Sequence, residues 1–157
     1  IGGKKMMLLV CPSGFSLKGY DVINYDSNKS WVDVINDVGM EKSLRELKNK
    51  RLYDKVVMLN DININVEETN NLGRYTIYSY NCSVEKKYTG NNFTWVSDKL
   101  SLQKPSIWNW YSDSLTFDII SNITKELWDI LEYNHRFRVE DKFLCYLSMM
   151  NIHTVKL

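Results

Sequence analysis

Met6-Met7-Leu8-Leu9-Val10, ending in Cys11-Pro12-Ser13-Gly14, is the stretch on which the fold of this chain turns. Five consecutive large apolar residues are too few for a membrane span, and Pro and Gly stop them. They predict a strand buried on both faces, the spine of the core. Downstream lies a second landmark, Asp26-Ser27-Asn28-Lys29-Ser30-Trp31-Val32, a polar turn that closes directly onto a tryptophan and an apolar stretch. Neither landmark carries chemistry by itself.

The 157 residues make one domain by size, residues 1–157, able to bury roughly 70% of the surface an unfolded chain exposes. Twenty Lys and Arg against nineteen Asp and Glu leave a formal charge of +1, so no global field favours nucleic acid or an anionic membrane. Aromatic residues make up 13%, with ten Tyr and five Trp, more than a core of this size requires. Some rings are therefore expected outside it, where they suit binding. Ile1-Gly2-Gly3 without an initiator Met reads as the start of an excised fragment. Lys4-Lys5 before the apolar run imitates a signal sequence, but the run is shorter than the ~7–15 residues such a segment needs. Cys11, Cys82 and Cys145 are far apart and odd in number, which predicts reduced, mostly buried thiols. Four N-x-S/T acceptors, at Asn28, Asn81, Asn92 and Asn122, exceed the roughly two that sixteen Asn would give by chance.

Along the chain, Phe15 to Asp26 alternates loosely and predicts a second strand beside the first. Trp31, Val34, Ile35 and Val38 have helical spacing, with Ser30 available as N-cap and Gly39 as stop, although the β-branched residues suit a strand equally. Ser43-Leu44-Arg45-Glu46 has the capping-box pattern and predicts a short helix to Arg51, with a solvated basic side. Lys55 to Leu59, Ile62 to Val66, Tyr75 to Val84 and Phe93 to Ser97 read as strands separated by Asn- and Gly-rich turns, hence an antiparallel meander. Leu115 to Ile119 reads as a further strand. Asn122 to Tyr133 reads as an amphipathic helix with Ile123, Leu127, Ile130 and Leu131 on one stripe, capped by Ser121 or Asn122. Phe143 to Leu147 and Ile152 to Leu157 read as two last strands. The expected fold class is α+β, an antiparallel β-sheet meander packed with a C-terminal amphipathic helix, with a galectin-like β-sandwich as the alternative.

No phosphate-cradling glycine loop, zinc spacing or nucleophile elbow occurs in the chain. His135 and His153 are the two histidines; Cys145 with one of them could be drawn as a hydrolase pair, and His153-Thr154-Val155 is only a near miss for a phosphoesterase element. The adjacent carboxylates Glu67-Glu68 and Glu140-Asp141 do not face a common site, so the sequence predicts neither catalysis nor a metal or other cofactor. What remains is a binding surface. Trp108-Asn109-Trp110 with Tyr111 and Asp113 places two indoles on one face if extended, flat shelves for the C–H side of a sugar ring. Asn109, Asp113 and Arg74 would then hydrogen-bond its hydroxyls. The competing assignment buries both indoles beneath the C-terminal helix, and Trp95 and Tyr75 are core candidates on the same grounds.

Met6-Met7-Leu8-Leu9-Val10-Cys11-Pro12-Ser13, followed by Asn28-Lys29-Ser30-Trp31-Val32-Asp33-Val34-Ile35, resembles the start of the rotavirus spike head, the trypsin-released N-terminal part of the outer-capsid spike protein. The resemblance covers roughly 30 residues, and an Asn-, Lys-, Ile- and Tyr-rich composition suits the AT-rich genomes of many viruses. It implies a virion-surface domain made in the host cytoplasm, attached to the remainder of the spike, that binds host cell-surface glycans, galactose-containing ones among them, without membrane insertion. Two features depart from that family. Its Arg, Tyr and Ser pattern for sialic acid matches no stretch here, and the expected helices exceed those of a galectin sandwich, which points to a divergent group. The alternative function is a viral immune modulator that binds a host protein.

Overall fold

The computed structural model describes residues 6–17, 19–60, 72–80, 109–135 and 139–157. Strand β1 (Met7–Pro12) is the spine: Leu8, Leu9, Val10 and Cys11 are all buried, and both its neighbours run parallel to it. Side chains alternate across a strand, so a run apolar at every position demands cover on both faces. Leu8 and Val10 enter one hydrophobic cluster, Leu9 and Cys11 another on the opposite face. The reading of the opening stretch holds.

Strand β2 (Asp21–Tyr25) pairs with β1 in parallel, Leu8 opposite Asp21, after a crossover of residues 13–20 whose described residues hold no helix. Eight residues reach at most ~27 Å. The return covers only the four-residue offset from Pro12 back to Leu8, about 13 Å, so so short a connection suffices. Side chains pin it in place. Asn24 Nδ2 donates to the carbonyls of Pro12 (3.0 Å) and Phe15 (2.7 Å), and Ser13 Oγ donates to the carbonyl of Tyr25 (2.9 Å). Phe15 and Tyr20 pack on the second cluster.

Helix α1 (Trp31–Asn49) starts as expected, with Ser30 Oγ accepting from the Asp33 amide at 3.3 Å. It does not stop at Gly39, nor does Ser43 begin a new helix; one helix absorbs both segments and ends at Lys50 in the left-handed region (φ 51°). Gly39 serves packing instead. A Cβ there would lie 2.5 Å from Ser121 Oγ and 2.7 Å from Ser121 Cβ, so the hydrogen lets α1 touch the next layer. The basic side is not wholly solvated either: Lys42 is fully buried, with Nζ 3.0 Å from Glu46 Oε1 and 2.7 Å from Asp118 Oδ1.

Strand β3 (Lys55–Met58) continues the parallel set on the other side of β1. Strands β4 (Thr76–Ser79), β5 (Trp110–Asp113) and β6 (His153–Lys156) complete a six-stranded sheet in the order β2-β1-β3-β5-β4-β6. The class is α+β and the sheet is mixed. β5 is antiparallel to both β3 and β4, whereas β4 and β6 pair in parallel. The expected meander is not seen among the described strands: β3 is flanked by β1 and β5, and β4 by β5 and β6. Sequence proximity sets the meander rule, and long connections release it. The expected strands at Ile62 to Val66 and Phe93 to Ser97 lie outside the described residues.

Leu115 to Ile119 is helical rather than extended, within α2 (Ser114–Ser121). Asp113 makes the switch: its Oδ1 accepts from the Thr116 amide at 2.8 Å, an N-cap placed on the last strand residue. Helix α3 (Lys125–His135) is capped by Thr124, whose Oγ1 accepts from the Leu127 amide at 3.1 Å; Asn122 closes α2 instead. Its buried side carries Trp128 and Leu131, while Ile130 is exposed. Phe143 to Leu147, expected as a strand, belongs to α4 (Val139–Met149). All four helices contribute to the cluster on one face of the sheet, so among the described residues this is a helix-covered single sheet and not a sandwich of two.

Candidate functional site

Trp108 lies outside the described residues. Trp110, its expected partner on a sugar-binding shelf, is 0% exposed, with its ring centroid 5.9 Å from that of Phe117 and 5.8 Å from that of Phe143. It is core, beneath α2 and α4. Tyr111 points to the other face and is equally buried, stacked on Tyr78 at 4.8 Å with Lys55 Nζ 4.1 Å from its ring centroid. Asn109 is a buried staple: its Oδ1 accepts from the Asn60 amide (2.8 Å) and its carbonyl accepts from the Tyr80 amide (2.7 Å). Asp113 is engaged in capping α2, and Arg74 is exposed in the segment before β4. The structure therefore does not assemble Asn109, Trp110, Tyr111, Asp113 and Arg74 into one open surface. Tyr75, expected in the core, is half exposed at positive φ.

The polar turn noted in the sequence forms a better site. Asp26 shapes it, Oδ1 accepting from the Asn28 amide at 2.9 Å and the carbonyl from the Lys29 amide at 3.1 Å. The chain is thereby turned from the end of β2 into the cap of α1. Between the two elements lies a cleft of about 220 Å³, with Ile23, Val34 and Val38 among its lining residues and Asn24, Asp26, Lys29, Asp37 and Glu41 supplying its polar groups. Lys29 Nζ reaches Asp37 Oδ2 at 3.1 Å, and that hydrogen bond, with the carboxylate charge, holds the ammonium pKa above its ordinary value. Both groups are more than half exposed, so the pair contributes little to stability and is available to a ligand.

Tyr25 borders the cleft, and its hydroxyl donates to the Leu59 carbonyl at 2.7 Å. Burial pushes that phenol up to about 12, which keeps it a neutral donor. The thiols fit the same pattern. Cys11 and Cys145 are buried and free, and burial raises both, Cys11 to about 11. Each is a poor nucleophile at neutral pH; Cys82 lies outside the described residues. Among the described residues no group of three or more His, Cys, Asp or Glu converges as a metal site, and no helix is long and apolar enough to cross a membrane. What the cleft can do is donate and accept hydrogen bonds around a small polar ligand. No family model, no curated protein and no solved structure matches this chain.

Proposed function

We propose that the chain is a non-catalytic viral attachment domain that binds a host cell-surface glycan, and that the glycan enters the cleft between β2 and α1. The observation that carries this reading is the polar set around that cleft, the Lys29 ammonium and the Asp26, Asp37 and Glu41 carboxylates above an apolar lining. Vicinal hydroxyls that donate to carboxylates and accept from an ammonium, over a C–H contact, are what a sugar ring offers such a site. The volume, below the ~300–1,000 Å³ of drug-sized pockets, suits a single terminal ring. Three carboxylates against one ammonium favour a neutral sugar such as galactose over an anionic one. The resemblance of the opening residues to the rotavirus spike head supports the same reading, with the domain carried at the virion surface on the remainder of a spike.

A glycan array probed with the soluble chain tests it. Binding restricted to neutral terminal sugars, lost in Lys29→Ala and Asp37→Ala while the melting temperature holds within about 2 °C, is the expected result. An array without binding, or binding indifferent to both substitutions, overturns it. The second reading, a viral modulator that docks on a host protein, is favoured by the exposed apolar residues Met40, Leu44 and Leu47 on α1.

A further inference from the structure

Ser79 and Trp110 stand directly opposite one another where β4 meets β5, the one described strand that runs against the other five. The side chains of such a pair leave the sheet on the same face, with Cβ atoms ~4.5–5.5 Å apart. Here that face is the helix-covered one, because Trp110 and Ile77, two residues before Ser79, both belong to its cluster. Both members of the pair are 0% exposed. Neither Ser79 Oγ nor Trp110 Nε1 has a hydrogen-bond partner among the described residues, and they do not bond each other. The neighbours that surround them are apolar. Met58 flanks Trp110 on the β3 side, and the ring centroids of Phe117 in α2 and Phe143 in α4 lie 5.9 and 5.8 Å from that of the indole.

A polar atom shut away from solvent without a partner is costly, and protein interiors relieve that cost with ordered water wherever two or more polar groups converge. The two groups differ in what they offer: an indole N–H only donates, whereas a hydroxyl donates or accepts. One water satisfies both, its oxygen accepting from Trp110 Nε1 while it donates to, or accepts from, Ser79 Oγ. Two protein partners reach the lower limit of the about 2–4 that hold an internal water. A serine opposite the largest side chain also leaves beside the indole the space that an apolar partner would fill. We propose that a single water molecule is bound between Ser79 and Trp110, beneath α2 and α4, and that it ties β4 to β5 through side chains as their ladder ties them through the backbone. Complete enclosure suits water and no larger ligand. Neither residue lines the cleft between β2 and α1, so the site does not depend on what that cleft binds.

The test uses the full chain and water itself as the probe. In a rotating-frame magnetic resonance spectrum, a proton close to a held water and a proton that merely exchanges with solvent give cross-peaks of opposite sign. The Trp110 indole proton, assigned by triple resonance, is expected to show the through-space sign at the water frequency. That peak is expected to vanish in Ser79→Ala while the circular dichroism spectrum stays unchanged. A crystal structure of the unsubstituted chain gives an independent measurement that holds whether or not the variant folds: one solvent oxygen about 2.7–3.2 Å from both Ser79 Oγ and Trp110 Nε1. An indole proton without the water peak, a peak that survives Ser79→Ala unchanged, or a crystal in which Trp110 Nε1 donates directly to Ser79 Oγ or no solvent oxygen lies between them overturns the inference.

Discussion

Gly39→Ala should destabilise the protein, although it replaces the poorer helix former with the best one. In an exposed helix interior this exchange gains about 1 kcal/mol. Here the new methyl would sit 2.5 Å from Ser121 Oγ and 2.7 Å from Ser121 Cβ, where carbon atoms prefer ~3.5–4.0 Å. The hydroxyl can rotate away only by giving up its 3.1 Å bond to the Asp118 carbonyl, and the Cβ cannot rotate at all. Hence α1 and α2 must separate by about an ångström. Separation also stretches the bonds from Asn36 Nδ2 to the carbonyls of Ser121 (2.7 Å) and Ile123 (3.0 Å). Overpacking costs about 1–3 kcal/mol, and two contacts this short belong to the upper part of that range, about 2–3, so after the propensity gain of about 1 a net loss of about 1–2 kcal/mol remains. For a chain of this length the melting temperature should fall by about 3–6 °C. Urea titration of a double-mutant cycle isolates the cause. In a Ser121→Gly background both close contacts vanish, and the same Gly39→Ala exchange should become stabilising by about 1 kcal/mol. A higher melting temperature for Gly39→Ala with Ser121 in place would refute the packing role.

Four further outcomes follow from named contacts. Trp110→Ala should cost about 3–5 kcal/mol, measured by denaturant titration, because it empties a fully enclosed site; a variant of unchanged stability would return Trp110 to the surface. Glu46→Ala should cost about 3–5 kcal/mol, since Glu46 Oε1 neutralises buried Lys42 while Oε2 accepts from the Tyr53 amide at 2.9 Å and from Ser114 Oγ at 3.3 Å. Asp118→Asn should cost much less, its carboxylate being 42% exposed and screened; equal losses would contradict the pairing. Burial pushes the Tyr146 phenol up to about 12, so the folded state holds a proton that the unfolded chain releases near pH 10. Its stabilisation is intact below pH 10 and is lost as pH rises from 10 to 12, up to roughly 2–3 kcal/mol, and Tyr146→Phe should flatten that slope; identical alkaline profiles would refute it.

The spine strand was legible because an unbroken apolar run bounded by Pro and Gly has few other uses, and the Ser30 cap because its hydroxyl stands next to the first helical residue. Topology was less legible. A connection of residues 13–20 looks antiparallel by length, and only the four-residue offset in register, which no local pattern reveals, makes a parallel return feasible. Helices were missed where tertiary contact outvoted local chemistry: Gly39 reads as a stop until Ser121 is placed against it, and Ser43 reads as a cap until Glu46 is seen serving Lys42 and Tyr53. Segment 115–119 read as a strand because Leu115, Phe117 and Ile119 alternate. The helical set Thr116, Phe117, Ile120 and Ser121 that is buried includes two polar residues, which a count of apolar positions overlooks. The cleft had its signal in the turn at Asp26 to Ser30, whose polar groups lacked an assignment until α1 brought Asp37 within 3.1 Å of Lys29.

The abundance of aromatic residues led the sequence reading outward, and the structure leads it back in. A sheet covered on one face needs one hydrophobic layer, against which ten Tyr and five Trp look like a surplus. This sheet is buried on both faces. One layer is built on Trp31, stacked 5.0 Å from Trp128 and 4.8 Å from Phe143, and on Trp110 between Phe117 and Phe143. The other is built on Tyr78 and Tyr80 around Tyr111, at 4.8 and 5.6 Å. Among the described residues the indoles all fill the layer where helices cross the sheet, while tyrosines serve both layers, Tyr53 and Tyr146 joining the first with hydroxyls that reach Asp21 and the Ile119 carbonyl. Once two layers are counted, most of the rings among the described residues are accounted for by folding. The exposed groups outside these two layers include the charged cleft beside β2 and the aliphatic residues Met40, Leu44 and Leu47 of α1.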